Sequence, residues 1–151
     1  MEIRKLSVPE LTVQQILSLL EITQATAPRR PDWQVLRREL ARFQLLGLYD
    51  GDTLAGYAQI DPLCPYLSGS IRLVTLRYRW QYNQEPQIIE MIRKIASSCP
   101  KAEWMLMDVD ARHDFNCPIY RKIGFQRSTL PSPLGKNRIV LLCPMDSVLK
   151  S

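Results

Sequence analysis

A chain of 151 residues with a net charge of +5 and 46% hydrophobic residues is long enough to bury a mixed core without covalent staples. Its four cysteines (Cys64, Cys99, Cys117, Cys143) and its single histidine, His113, show neither zinc nor redox spacing, so a reducing compartment and no metal are expected. No long apolar run follows the charges at Glu2, Arg4 and Lys5, which argues against a leader or a membrane span and for a cytoplasmic protein.

The chain starts with a strand-like Ile3 to Leu6, and Ser7-Val8-Pro9-Glu10 has the Ser-x-x-Glu order of a capping box. A helix is expected next, with Val13, Ile16, Leu17 and Leu20 spaced as one buried face. Two prolines in "TAPRRPDW" break that pattern, and Asp32 is placed to cap a second helix that turns Trp33, Leu36 and Leu40 inward. "FQLLGLY" and "TLAGYAQI" flank Asp50-Gly51, a pair suited to a hairpin turn. "IRLVTLRY" (71–78) gives a further strand, and Pro86 opens a helix with a stripe of Ile88, Met91, Ile92 and Ile95. "WMLMDVDA" (104–111) reads as a central strand, followed by a short helix from Asp114 to Ile123 that Gly124 ends. Phe125 to Leu130 and Arg138 to Cys143 complete the list as two strands joined by "PSPLGKN". The order predicts an α/β or α+β mixed sheet with helices on both faces, in one domain spanning 1–151.

One segment carries more than fold. "VDARHDFNCPIYRKIGF" (109–125) resembles a motif of the GNAT superfamily of acetyl-CoA-dependent N-acetyltransferases, in which a helix ends in Leu-Tyr, two or three residues, then Gly-Phe. Val109, Ile119, Tyr120, Gly124 and Phe125 carry the match, and the element order agrees over nearly the whole chain. The resemblance implies a sheet that splays between 71–78 and 104–111, with the pantetheine arm of acetyl-CoA in the gap. It also implies a cofactor-binding set of Leu76, Arg77, Tyr78, Arg79, Asn83, Gln84, Gln87, His113 and Asn116. His113 stands where the family usually has asparagine, and Asn116 where it usually has alanine. The family's phosphate-cradling loop, Arg/Gln-x-x-Gly-x-Gly/Ala, is not kept: Gln84 and Pro86 replace the glycines. Glycine allows close backbone approach to a pyrophosphate, whereas proline removes an N–H donor.

Acetyl transfer from a thioester to an amine needs a neutral amine, a stabilised oxyanion and a protonated leaving thiolate. By the resemblance Tyr120 is the general acid: a phenol of pKa ~10 donates without being ionised at neutral pH. A backbone amide of 76–78 is placed to hold the carbonyl oxygen. The plain alternative for Tyr120 is a half-buried aromatic with a wet hydroxyl. Asp61, Glu85, Asp110 and His113 are open as general base, beside a solvent-fed water chain.

The implied acceptor is a small-molecule or peptide amine, bordered by the "TQATAPRRPDW" loop with Arg29 and Arg30; a homodimer stays open. A second function class stays beside the enzyme. The same fold, having lost its cofactor, would serve as a binding module for protein or nucleic acid through the cations and aromatics of "RYRWQYN" (77–83). The scatter of basic residues along the chain weighs against nucleic acid.

Overall fold

Capping chemistry sets where the first helix begins. The computed structural model describes residues 1–27, 29, 31–64, 67–110, 118–132 and 134–151. After strand β1 (Glu2–Leu6), Val8–Glu10 form only a single 3-10 turn, and the Ser7 side chain makes no capping bond. Helix α1 (Val13–Thr26) is capped instead by Thr12 and Gln15: the Gln15 N–H donates to Thr12 Oγ1 at 3.1 Å, and the Thr12 N–H donates to Gln15 Oε1 at 2.9 Å. The capping box thus lies five residues further on than expected at Ser7, because Pro9 has no N–H and closes the preceding segment into the short turn. The buried stripe moves with it. Leu19, Ile22 and Thr23 face the sheet, while Val13 and Leu17 are 74% and 56% exposed.

The rest of the first half follows the sequence pattern. Asp32 caps α2 (Trp33–Leu40) by accepting from the Gln34 N–H at 2.8 Å, and Leu36 and Leu40 are buried. Strands β2 (Gln44–Asp50) and β3 (Thr53–Asp61) form the hairpin, with Gly51 at φ 62° in its turn. Strand β4 (Ser70–Tyr78) and a 3-10 turn at Trp80–Tyr82 lead into α3 (Glu85–Ser97), which buries Ile88, Met91, Ile92, Ile95 and Ala96.

Strand β5 (Trp104–Asp110) follows, then α4 (Pro118–Ile123). The expected start of α4 near Asp114 lies outside the described residues. Strand β6 keeps only Gln126–Arg127 of the expected Phe125 to Leu130, and β7 spans Arg138–Pro144. Phe125 instead turns into the core, at 4% exposure. A terminal helix that the sequence reading lacked, α5 (Met145–Lys150), buries Met145 and Val148 against the main core.

All strands join one sheet in the order β1-β2-β3-β4-β5-β7-β6. Every neighbouring pair is antiparallel except β4 and β5, which the α3 crossover makes parallel. The larger core packs Leu46, Leu48, Ile60, Leu73, Met105 and Met107 of one sheet face against α3 and α5. On the other face Leu45, Tyr49, Leu54 and Tyr57 pack against Leu19, Ile22, Leu36 and Leu40 of α1 and α2. Each fully buried side chain of this size contributes about 1.5–3 kcal/mol relative to exposure. The fold is an α+β mixed sheet flanked by helices, as expected.

Candidate functional site

The parallel pairing of β4 with β5 begins at Ser70 opposite Trp104 and ends at Leu73 opposite Met107. Beyond that point both strands continue, β4 to Tyr78 and β5 to Asp110, but each pairs only outward: β4 with β3, and β5 with β7. A local irregularity marks the parting. Gln59 is paired with Thr75 and Ile60 with Leu73, which leaves Val74 as the extra residue of a bulge. Bulges bend a strand and raise its twist, which turns β4 away from β5 here.

The opening is a slot of about 300 Å³ through the sheet. Leu73, Val74, Thr75, Leu76 and Arg77 line one wall and Met107, Asp108 and Val109 the other, with Tyr120, Ile92, Thr26 and Arg138 completing it. Residues of both sheet faces reach it: Leu73, Ile92, Met107, Val109 and Tyr120 belong to the α3 side, Thr26 to the end of α1.

Tyr120 is held there by its helix end. Its carbonyl accepts from the Gly124 N–H at 3.2 Å and the Phe125 N–H at 3.0 Å, while the Gly124 N–H also reaches the Arg121 carbonyl at 3.1 Å. Gly124 adopts φ 117°, so this is a Schellman-type stop that needs a glycine. The Phe125 ring then meets the Tyr120 ring edge-on, with centroids 6.2 Å apart and planes at 66°. The spacing Tyr-x-x-x-Gly-Phe is thus a structural unit that fixes the ring against the core beside the slot.

The remaining sequence-predicted site residues separate into two groups. Leu76 and Tyr78 pack at the edge of the α3-side core, and the Tyr78 hydroxyl donates to Asn83 Oδ1 at 3.4 Å. Gln84 is the residue before α3 and its side chain makes no capping bond; Gln87 lies in the first turn with a buried Oε1 that has no partner among the described residues. Of these residues only Leu76 lines the slot. Arg77, which also lines it, and Arg79 take the opposite face of the strand, toward α1. Arg77 bonds the Thr26 hydroxyl, and Arg79 donates to the Leu54 carbonyl at 2.8 Å and pairs with Glu21 at 2.7 Å. His113 and Asn116 lie outside the described residues.

A different cation stands at the α3 start. Lys122 Nζ donates to Glu85 Oε1 at 2.6 Å, so the carboxylate there is neutralised and a charge from α4 is brought to that helix end. Helix geometry leaves the Glu85 and Gln87 N–H groups without intrahelical partners, while Pro86 has none to offer. Of the other carboxylates considered as base, Glu85 is thereby engaged and Asp61 lies 3.9 Å from Arg72. Asp110 stands at the end of β5 opposite Arg138.

The sequence reading missed Asp108. Its side chain is 3% exposed, one oxygen accepts from Arg72 Nη1 at 2.8 Å, and the other, Oδ1, is buried without a partner among the described residues. Arg138, two residues along on the neighbouring strand face, donates from Nη2 to the Asp108 carbonyl at 2.7 Å and keeps a buried, unpartnered Nε. The polar residues inside the otherwise apolar run "WMLMDVD" were the available signal. Among the described residues, no group of three or more His, Cys, Asp or Glu is placed to hold a metal, and no helix is long and apolar enough to cross a membrane.

No protein-family model matches the sequence, and no curated protein does. Solved structures do match. A GNAT-family protein from Desulfovibrio desulfuricans superposes with a TM-score of 0.71 at 13% identity, over 95% of this chain and 98% of that one. The chain has the GNAT acetyltransferase fold. The aminoglycoside 6'-N-acetyltransferase from Enterococcus faecium shares that GNAT fold with a TM-score of 0.69 at 12% identity, covering 96% of this chain and 97% of its own. So does a Bacillus subtilis acetyltransferase solved in complex with CoA, at a TM-score of 0.64, 14% identity and coverage of 95% and 97%. At these identities it is the GNAT fold that is common, and the chemistry must be argued from the slot.

Proposed function

We propose that the protein is an acyltransferase that moves an acetyl group from acetyl-CoA to an amine, with Tyr120 as general acid. The observation that carries this reading is the slot itself: a through-opening in the sheet with a fixed tyrosine on its wall. The residues fit an acyl-CoA in two respects. The slot offers an apolar wall of Leu73, Leu76 and Val109, and the α3 that contributes Ile92 to it begins at Glu85, beside Lys122 of α4. When bound, acetyl-CoA supplies the activated acetyl group. A new bond forms between the amine nitrogen and the acetyl carbon as the carbon–sulfur bond breaks. Tyr120 gives its hydroxyl proton to the departing sulfur, and the proton lost from nitrogen passes to solvent, which restores the phenol. The N–H groups of Glu85 and Gln87, at the positive end of α3, would meet the anionic end in place of a glycine loop, and Lys122 would join them by exchanging Glu85 for it.

The cofactor-less binding module is the weaker reading. Arg77 bonds the Thr26 hydroxyl, and Arg79 the Leu54 carbonyl and Glu21, so both guanidiniums of "RYRWQYN" are engaged within the chain.

The deciding experiment is the melting temperature with and without acetyl-CoA. Ligand at about 100 times its Kd adds ~2.7 kcal/mol, or about 5–10 °C for a chain of this size. No shift at millimolar acetyl-CoA overturns the reading. Given a shift, Tyr120→Phe is expected to lower kcat for amine acetylation at least about tenfold with the shift retained; an unchanged kcat removes Tyr120 from the chemistry.

A further inference from the structure

A second opening lies at the other end of β4 and β5, where the two strands are still paired. It encloses about 630 Å³, roughly twice the slot, between the β3–β4 and α3–β5 connections, which is the size of a small-molecule cleft. The Glu103 N–H donates to the Gly69 carbonyl at 2.7 Å and ties the two connections together. Ile71, 4% exposed, brings the larger core to its wall. None of the described lining residues also lines the slot, and the paired stretch from Ser70 and Trp104 to Leu73 and Met107 separates the two along the strands.

Leu63, Ile71, Pro100 and Ala102, with Cys64 and Cys99, give this opening a largely apolar surface. Three polar side chains interrupt it among the described residues: Ser68, Ser70 and Lys101. The Ser70 hydroxyl is already used, since it donates to the Leu67 carbonyl. The Ser68 hydroxyl and the Lys101 ammonium have no partner among the described residues. Both can donate, and no carboxylate of the described residues lines the opening. Glu103, whose carboxylate comes to 3.7 Å from a Cβ built on Gly69, is not among the lining residues. An alkyl chain would therefore be buried here whatever its head, and the head decides the rest. An ammonium meets Lys101 as a like charge, a neutral hydroxyl gains no ion pair, and a carboxylate accepts from both free donors.

We propose that this opening is a second ligand site that takes an aliphatic carboxylate, with the chain on Ile71 and Ala102 and the head on Lys101 and the Ser68 hydroxyl. The site does not depend on the acyl-transfer reading, because it shares no described lining residue with the slot. Lys101 and Ser68 are exposed, so their pairing with the head sets preference among ligands by a small factor, and burial of the chain supplies most of the affinity.

The test titrates the whole chain with octanoate, butanoate, 1-octanol and octylamine by calorimetry and follows the melting temperature alongside. Octanoate at about ten times its Kd is expected to raise the midpoint by about 3–6 °C. Butanoate, with less chain to bury, is expected to bind at least about tenfold more weakly. 1-Octanol is expected to bind about three- to fivefold more weakly than octanoate, and octylamine at least about tenfold more weakly. Lys101→Gln should bring octanoate to the affinity of 1-octanol and leave 1-octanol unchanged. Ser68→Trp places an indole in the opening from an exposed position and should abolish binding of both. Absence of octanoate binding overturns the proposal, and so does equal affinity for octylamine. Native affinity for octanoate in Ser68→Trp overturns it by placing the ligand elsewhere; should that variant not fold, an unchanged preference in Lys101→Gln does the same. Displacement of octanoate by acetyl-CoA would put octanoate in the slot and overturn it too. Failure of acetyl-CoA to bind, with octanoate binding as expected, would instead overturn the acyl-transfer reading and leave this site standing.

Discussion

Replacing Arg72 by methionine should unmask how the slot wall is stabilised. Arg72 is 8% exposed, its partner Asp108 has a side chain 3% exposed at 2.8 Å, and Asp61 is the second anion at 3.9 Å. Methionine keeps most of the length and removes the charge, so the Asp108 carboxylate is left buried without the ion pair it makes to Arg72. Removing one member of a buried pair in this way destabilises by about 3–5 kcal/mol, because the remaining charge keeps its desolvation penalty without its partner. For a chain of this size each kcal/mol moves the midpoint by about 2–4 °C, which places the melting temperature about 6–20 °C lower. The companion is Arg72→Met with Asp108→Leu, which swaps the pair for apolar groups beside Leu106 and Val140. It should recover most of the loss, since an apolar replacement of a buried pair is often neutral or better. Urea unfolding of the native chain, the single and the double variants at pH 7 gives all the values required. A loss under about 1 kcal/mol in Arg72→Met, or a double variant no more stable than the single one, refutes the argument that the pair matters chiefly through the charge left behind.

Three other outcomes are expected. A Cβ at Gly56 would lie 2.5 Å from the Arg77 carbonyl and 3.0 Å from the Tyr78 Cβ, so Gly56→Ala should force β3 from β4 and destabilise by about 1–3 kcal/mol in denaturant unfolding, with Gly51→Ala, which has open space, losing less. Burial pushes the Cys143 thiol up to about 11 from 9.0, so the folded chain holds that proton when the unfolded chain has lost it; stability should fall as pH rises from about 9 to 11, and Cys143→Ala should flatten that slope. Burial also raises the Tyr57 phenol above its usual 10.0, which adds in the same direction at the alkaline end. Thr12→Ala should lower stability by about 1 kcal/mol and Ser7→Ala should leave it nearly unchanged, as circular dichroism melts of the two variants would report.

That last contrast shows where the sequence was legible and where it was not. The Ser-x-x-Glu pattern at Ser7 was read as the helix start, whereas the capping box forms at Thr12 and Gln15; the short turn around Pro9 separates the two, and the buried stripe of α1 lies further along than read. Strong periodicity survived: the α3 stripe and the β2–β3 hairpin with Gly51 stand as read. The helix α5 escaped notice because Met145 and Val148 alone give too short a pattern to be told from a tail. At the slot, Tyr120 could be picked out because the local spacing to Gly124 and Phe125 itself builds the helix stop. That Arg77 and Arg79 turn toward α1 could not be read, because a string of letters shows that cations are near each other, while the pleat decides which face each one takes. Asp108 was unreadable for a related reason, since its meaning depends on Arg72 and Arg138, both more than 29 positions away in the chain.

The parting of β4 from β5 also divides the sheet into leaves of unequal security. On the joined side, Arg72 to Leu73 and Met105 to Met107 are clamped by strands on both flanks, and their amides should resist hydrogen exchange until the molecule opens globally. Past Leu73 and Met107 each strand has a single neighbour, so the slot-facing amides should exchange through smaller local openings. A ligand lying in the slot would supply the missing flank, and occupancy could then be read from deuterium uptake along Thr75 to Tyr78 with no need to observe turnover.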